Sequence, residues 1–437
     1  MAVKPSLIVA RVRQWLGGQF RLSTRRPQTL WGYPVGDDEQ HDADGSGGKA
    51  SDRSQRGIAL LIAIMLISIM VMFTTDLIVS SQVGLEVTAS HRDNVKAEYM
   101  AKSGQNLAGF LLVGDMALDL FLASPQSPMK TAPSDSLGDM WGALNGIPIG
   151  GGTAEMMMKT QKSFELNSVT DDDVMTQLKL FDGEFTLNVS DESGKINVNF
   201  CAQGRCTEVI AMLQALFSCP AEKAFLEEKK VQPKELAFRI KDWVDNDTKA
   251  ESDSGYSDEN DPYSRKTPPY KTKNAPFDSL NELKMVEGWD DDVHRVFAPY
   301  ITLWPFQNSG TDKPKINLNT ASKELLNCLF PQSKADCNEK SASVFKSRDK
   351  DKSGLVGGKS DIATVLKETF CYVPGVGSEN ETGNKANWFQ VRSSVFRIEA
   401  VGEVGNQRRT VTAIVERRVP DKKDIKSSTQ MLFWRFE

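Results

Sequence analysis

Gly57-Ile58-Ala59-Leu60-Leu61-Ile62-Ala63-Ile64-Met65-Leu66-Ile67-Ser68-Ile69-Met70-Val71-Met72-Phe73 carries no charge and one hydroxyl. Arg56 stands directly before it, and Asp76 is the first charge after it. As a helix this run spans about 24 Å, close to a bilayer core, and Leu77, Ile78 and Val79 extend it. Beyond Ser80 apolar residues continue at helical spacing through Val83, Val87, Val95, Tyr99, Ala101, Gly104, Leu107, Ala108 and Leu111. No proline interrupts Gly57 to Leu112. The pattern predicts one continuous helix over 58–112, apolar at its start and amphipathic at its end. Small residues at Ala89, Ala97, Ala101, Gly104 and Ala108 give it a face for close packing.

Working outward, residues 1–57 read as a cytoplasmic leader, polar and without periodicity. Arg11, Arg13, Arg21, Arg25, Arg26, Lys49, Arg53 and Arg56 hold that side in the cytoplasm, which sends residues after 80 outward. All six cysteines follow the apolar run: Cys201, Cys206, Cys219, Cys328, Cys337 and Cys371. An even number on the outer side suits disulfides in an oxidising periplasm. Cys201–Cys206 and Cys328–Cys337 are the local pairings among fifteen possible connectivities. The absence of Cys-x-x-Cys spacing argues against zinc.

Phe181, Phe185, Leu187 and Val189 alternate with Glu184, Thr186 and Asn188 as a strand does. After the turn Asp191–Lys195 comes Ile196-Asn197-Val198-Asn199, which recurs as Ile316-Asn317-Leu318-Asn319. Thr320 is placed to cap a helix through Glu324, Leu325 and Leu326. Lys223–Trp243 reads as helix. Residues 394–402 and Thr410–Glu416 alternate again as closing strands.

These motifs, in this order, resemble the K-type minor pseudopilin of type II secretion. The junction Arg56-Gly57-Ile58 resembles a prepilin cleavage site. The family pattern continues through Asp242-Trp243-Val244-Asp245-Asn246-Asp247, Pro268-Pro269-Tyr270, Asn274-Ala275-Pro276-Phe277 and Glu282-Leu283. The resemblance covers about residues 56–110 and 180–418. It implies an α+β fold: a pilin-like long N-terminal helix packed on an antiparallel sheet, with a large α-helical domain inserted between strands. The implied divisions are leader 1–57, helix 58–112, first part of the pilin-like domain 113–199, insert 200–385, and closing strands with a C-terminal tail 386–437.

The same resemblance implies cleavage after Gly57 by a prepilin peptidase and methylation at Ile58. It gives Ile62, where other pilins carry glutamate, an assembly role: a tip subunit has no preceding neighbour to neutralise an intramembrane carboxylate. It implies a structural protein of the inner membrane, single-pass, with a periplasmic head. The expected partners are the I and J types, with the H type and the major pseudopilin behind them. A type IV pilus minor pilin is the alternative.

Asp245, Asp247, Glu251, Asp253, Asp258, Glu259 and Asp261 crowd one loop. Such carboxylates repel one another unless solvent or a cation intervenes, and hard oxygen ligands on a flexible loop suit Ca²⁺. The residues alone favour a solvated acidic loop, because their spacing is not that of an EF-hand. The resemblance turns the reading toward calcium, with Asp245, Asp247, Asp253, Glu259 and Asp261 as ligands. Asp349-Lys350-Asp351-Lys352-Ser353-Gly354 begins like an EF-hand loop, but Ser360 stands at its twelfth position, so it reads as a charged surface loop. Enzymatic function is not expected: the three histidines, His41, His91 and His294, are scattered and form no constellation with a nucleophile. Nucleic-acid binding is not expected either, because the net charge is −5 and residues 242–263 are strongly acidic.

Overall fold

The computed structural model describes residues 52–124, 133–150, 183–204, 206–251, 257–306, 314–331, 335–352, 354–356, 361–372, 385–418 and 429–437. The chain divides at Val79/Ser80 into two compact units. Helix α1 covers Asp52–Leu122, running past the expected end at Leu112. In the first unit the apolar residues from Ile58 to Phe73 are all exposed. The helix is long and apolar enough over Gly57–Leu122 to cross a membrane.

In the second unit the same helix changes character. Ala97, Ala101, Ala108 and Leu112 are fully buried, and Gly104 is buried with them; Ala89 is not. This stripe recurs every three or four residues, so it lies along one face. That face packs on an antiparallel sheet ordered β1 (Pro148–Gly150), β2 (Glu184–Asp191), β7 (Val395–Val404), β8 (Gln407–Arg417) and β9 (Thr429–Phe436). In β7 the residues Phe396, Ile398, Ala400 and Val404 are buried and alternate with half-buried Arg397, Glu399, Val401 and Glu403. Small residues on both faces let the backbones meet. A Cβ on Gly402 would lie 2.1 Å from the Ala97 carbonyl oxygen. β9 was expected as tail and is instead the fifth strand, paired along Val411–Arg417.

β2 and β7 are hydrogen-bonded neighbours, with Leu187 opposite Ala400 and Asp191 opposite Phe396, and the helical insert lies between them in sequence. Its first half runs from β3 (Ile196–Asn197) through α2 (Cys206–Phe217), α3 (Pro220–Glu228), α4 (Pro233–Val244), α5 (Asp261–Ser264) and α6 (Asp291–Phe297) to β4 (Ile301–Thr302). The second half runs from β5 (Ile316–Asn317) through α7 (Lys323–Leu329), α8 (Ala335–Asp351) and α9 (Ile362–Phe370) to β6 (Phe389–Gln390). Each half closes by a short parallel pairing of its first strand with its last, β3 with β4 and β5 with β6. The insert has its own core, in which Phe217, Leu236, Trp289, Phe297, Leu326 and Phe389 are buried. The helix–sheet sandwich has another, built on Leu112, Trp141, Leu187, Phe396 and Ile398.

Two local expectations are corrected. The helical run 223–243 is broken: α3 ends at Glu228, Lys230 adopts a left-handed φ of 60°, and Pro233 opens α4, because proline is tolerated only in a first turn. Ser322, not Thr320, caps α7 by accepting from the Leu325 N–H at 3.2 Å. Thr320 donates instead to Asp191.

The disulfides are Cys201–Cys206, Cys219–Cys328 and Cys337–Cys371. The first is as expected. The local pairing Cys328–Cys337 is not formed: Cys328 reaches back to the α2–α3 junction, and Cys337 on α8 meets Cys371 at the end of α9. Helix packing sets these partners, and proximity in sequence does not.

A buried charged network ties the sheet end to the insert. The Arg417 guanidinium donates to Asp115 at 2.8 Å, to Asp135, and to the Ser393 carbonyl at 3.1 Å. Asp191 accepts from Ser393 and Thr320 hydroxyls and from the Ser193 N–H at 2.7 Å. Glu192 is fully buried, yet the cations Lys195 (2.8 Å) and Arg397 (2.7 Å) and the Thr302 hydroxyl (2.6 Å) satisfy it. Buried charges persist only when paired in this way.

Candidate metal centre

α4 delivers the first ligand candidates. It ends at Val244, and Asp245 is its C-cap, with its N–H donating to the Lys241 carbonyl. Asp247 turns the chain, its Oδ1 accepting from the Lys249 N–H at 2.8 Å. A bridge between Lys249 and Asp258, with the Glu259 N–H donating to the Thr248 carbonyl at 3.3 Å, folds the loop back on itself. Glu259 thereby meets the first two carboxylates: one oxygen each from Asp245, Asp247 and Glu259 lies within 4.8 Å of the others.

Two of the three carboxylates are buried, and Asp247 stands exposed at the mouth of the group. Asp245 is 9% exposed and Glu259 3%. Glu259 Oε1 accepts from the Thr272 hydroxyl at 2.8 Å, and Asp245 Oδ2 pairs with Lys241 at 3.2 Å. The other oxygens, Asp245 Oδ1 and Glu259 Oε2, are buried without a partner, and so is Asn274 Oδ1. Asn274 sits over the loop: its Nδ2 donates to the Asp247 carbonyl at 2.9 Å and its N–H to the Trp243 carbonyl at 3.0 Å. Burial pushes the Asp245 and Glu259 carboxyls up, and neighbouring carboxylates push them further. Asp242 alongside is pushed up to about 7, first by burial and then by Asp245 and Glu259. A buried polar oxygen left unpaired costs about 1–3 kcal/mol, so a cation bound here would relieve a cost that the folded loop otherwise carries. All three are hard oxygen donors, two of them carboxylates, which suits a divalent alkaline-earth cation.

The sequence-based ligand set is divided by the structure. Asp245, Asp247 and Glu259 come together. Asp261 begins the short α5 and stands outside the trio. Asp253 lies outside the described residues. Asn274 was quoted only as part of a motif and not read as a ligand; its left-handed φ of 50° in a polar loop was not visible in sequence. In the EF-hand lookalike, Asp349 is exposed and paired with Arg348. Asp361 caps α9, accepting from the Thr364 N–H at 2.6 Å. Ser353 and Ser360 lie outside the described residues.

Two other clusters have different explanations. Asp115, Asp135 and Asp139 converge near Arg417, but each of their oxygens already accepts a hydrogen bond, from Arg417, Met140, Ser393 or Ser136. Cys219 and Cys328, near Glu222, are joined to each other. At the other end of the chain, Gly57, Ile58 and Ile62 lie exposed on α1.

The stretch from Gly194 to Phe306 therefore holds the first half of the insert together with the candidate centre. Residues 194–306 match the family model of type II secretion system protein K. The resemblance read from the motifs is thus met on the segment that carries the centre. The type II secretion system protein K of Pseudomonas aeruginosa is 24% identical over 280 residues, 64% of this chain and 69% of that protein. Among solved structures, the GspK–GspI–GspJ complex of the enterotoxigenic Escherichia coli type 2 secretion system aligns over 80% of this chain and 99% of that one, at 15% identity and a TM-score of 0.49.

Proposed function

We propose that this chain is the K-type minor pseudopilin at the tip of a type II secretion pseudopilus. It starts assembly with the I and J types and supports export of folded proteins across the outer membrane. One observation carries the reading: the segment matched to protein K is half of a helical insert spliced between two neighbouring strands of a helix-on-sheet sandwich. A pseudopilus grows by addition at the membrane, so the first subunit ends at the top. A head enlarged by such an insert would clash within a helical shaft and is tolerated at its end.

The remaining roles follow from this chain's residues. The apolar start of α1 anchors it in the inner membrane, the basic residues before it keep the leader in the cytoplasm, and the head lies in the periplasm, where its six cysteines pair. The prepilin peptidase cuts between Gly57 and Ile58, and Ile58 is methylated. Ile62 keeps a carboxylate out of the bilayer, where it would have no partner. Leu85, Tyr99, Phe110 and Phe121 are left exposed on α1 and offer apolar side chains to the I and J helices. Ca²⁺, when bound by Asp245, Asp247, Glu259 and Asn274, supplies charge compensation and fixes the loop.

Immunogold against the insert should label one end of isolated pseudopili, and labelling along the shaft would end the tip assignment. Protein extracted from membranes of cells with the peptidase should begin at methylated Ile58. An intact chain from Met1 would remove the prepilin reading.

A further inference from the structure

The two halves of the insert close by the same device. In each, an Ile-Asn-x-Asn segment starts the half. The first asparagine accepts from the N–H of the second, 3.0 Å for Asn197–Asn199 and 3.0 Å for Asn317–Asn319. The second asparagine then grips one distant residue by both backbone groups. Asn199 accepts from the Phe277 N–H at 2.8 Å and donates to its carbonyl at 3.0 Å. Asn319 accepts from the Val356 N–H at 2.8 Å and donates to its carbonyl at 3.2 Å. In the second half the gripped residue closely follows a helix end, Asp351 of α8; in the first, α4 ends at Val244 and the short α5 intervenes before Phe277.

The halves differ in the route from helix to clamp. The second half goes from Asp351 to Val356 almost directly. The first makes the long acidic excursion from Asp245 to Pro276 before reaching Phe277. A short connection fixes its ends cheaply, while a long one must be ordered residue by residue. The candidate metal centre sits in that excursion. Asn274, whose Oδ1 is buried without a partner and whose Nδ2 donates to the Asp247 carbonyl, stands three residues before Phe277 and is tied to the α4 end through the Trp243 carbonyl. The Phe277 ring lies parallel to Trp243. Past the clamp, Asn199 also donates to the Leu303 carbonyl at 2.9 Å, next to β4, and Thr302 of β4 donates to Glu192 at the sheet.

We infer that cation occupancy at Asp245, Asp247, Glu259 and Asn274 sets the first clamp, Asn199 on Phe277, and with it the attachment of β4, while the second clamp, Asn319 on Val356, closes without any ion. The inference rests on the cation reading of the centre and adds a directed coupling to it. Asn274 is a positioning residue in this scheme: it connects the ion to Phe277 through three residues of chain.

The test is amide hydrogen exchange on the full chain in detergent, in chelator and with Ca²⁺, alongside calorimetry of Ca²⁺ binding to the same sample. Amides whose opening releases the ion slow by up to about a hundredfold at one hundred times the dissociation constant. Peptides spanning 196–203 and 272–303 should show that slowing, and peptides spanning 316–331 and 361–372 should stay within about twofold. Asn274→Ala should remove the slowing at 272–303, whereas Asn319→Ala should loosen 316–331 equally in chelator and in Ca²⁺. Binding with unchanged exchange at the first clamp overturns the coupling and leaves the centre standing. Equal slowing in both halves also overturns it, because the ion would then stabilise the head as a whole. No binding in the calorimeter overturns centre and coupling together.

Discussion

Replacing Gly402 by alanine adds one methyl group where α1 lies on the sheet. Its Cβ would stand 2.1 Å from the Ala97 carbonyl oxygen, 2.5 Å from the Ala101 nitrogen and 2.9 Å from the Met100 Cβ. Ordinary carbon contacts lie at about 3.5–4.0 Å. Two of the three obstacles are helix backbone, which cannot rotate away, so the helix must withdraw by an ångström or more. Withdrawal opens gaps along the buried stripe Ala97, Ala101, Gly104 and Ala108; at Gly104 the facing side chains are Phe185, Leu187 and Ala400. Overpacking of this kind costs about 1–3 kcal/mol, and the backbone obstacles put Gly402→Ala at the upper end. At about 2.1 cal/mol/K of unfolding entropy per residue, a unit running from Ser80 to Glu437 would lose about 4 °C in melting temperature. Gly109→Ala is the matched control, because a Cβ there meets nothing within 4 Å. In a helix it should stabilise, by about 0.4–1 kcal/mol. Near-ultraviolet circular dichroism melts of a fragment from Ser80 to Glu437 read both. A Gly402→Ala melting temperature equal to wild type would refute the backbone contact.

Other expectations concern the insert and the buried charges. Melting should rise with Ca²⁺, by the equivalent of about 2.7 kcal/mol at one hundred times the dissociation constant, and less with Mg²⁺, which keeps its waters. Asp247→Ala and Glu259→Ala should each abolish most of that rise and Asp349→Ala none of it; a chelator-insensitive melt with no metal by elemental analysis would leave a plain acidic loop. Cys219→Ser opens a bond closing 109 residues and should cost about 4–5 kcal/mol, against about 2 for Cys201→Ser, whose bond closes 5; equal losses in denaturant melts would contradict the loop-closure argument. Burial raises the Asp191 carboxyl to about 6 against the hydrogen bonds from Ser393, Thr320 and Ser193 that lower it. The folded state therefore holds that proton more tightly than the unfolded chain, and stability falls as pH rises from about 4 to about 6 and is level above. Melts at pH 5 should exceed those at pH 7 by about 1 kcal/mol from this group, and Asp191→Asn should flatten the slope; a slope identical in the two proteins would show that Asp191 does not titrate there.

The long helix and the alternation in β2, β7 and β8 were legible because each rests on a local period that burial imposes, whereas the insert was implied by the family resemblance. β9 was not, since Met431, Leu432, Phe433 and Trp434 put apolar groups on both faces of an edge strand and leave no alternation to read. The partner of Cys328 was hidden because helix packing, not sequence spacing, brings Cys219 to it. Arg417 lay at the end of a readable strand, but its burial depends on Asp115 and Asp135, which are local to nothing near it. In the candidate metal centre the acidic residues announced themselves by charge, while Asn274 would offer a neutral oxygen, and only its burial without a partner singles it out.

The position of the insert between adjacent strands also favours one order of folding for the second unit. β2 leaves the chain at Asp191, and its neighbour β7 begins only at Val395. Pairing them from an unfolded chain means closing a loop of some two hundred residues, a slow step with an exposed strand edge while it waits. An insert that folds first would shorten the effective loop. The Asn317 N–H donates to the Ser193 carbonyl at 2.8 Å, and the Leu318 N–H to Gln390 at 2.9 Å. Each half, once folded, thus brings its own end back to the place where β2 stopped. A chain delivered N-terminus first would complete the first half, then the second, and find β7 already beside its partner. The domain that enlarges the head is then also the template on which the sheet is finished.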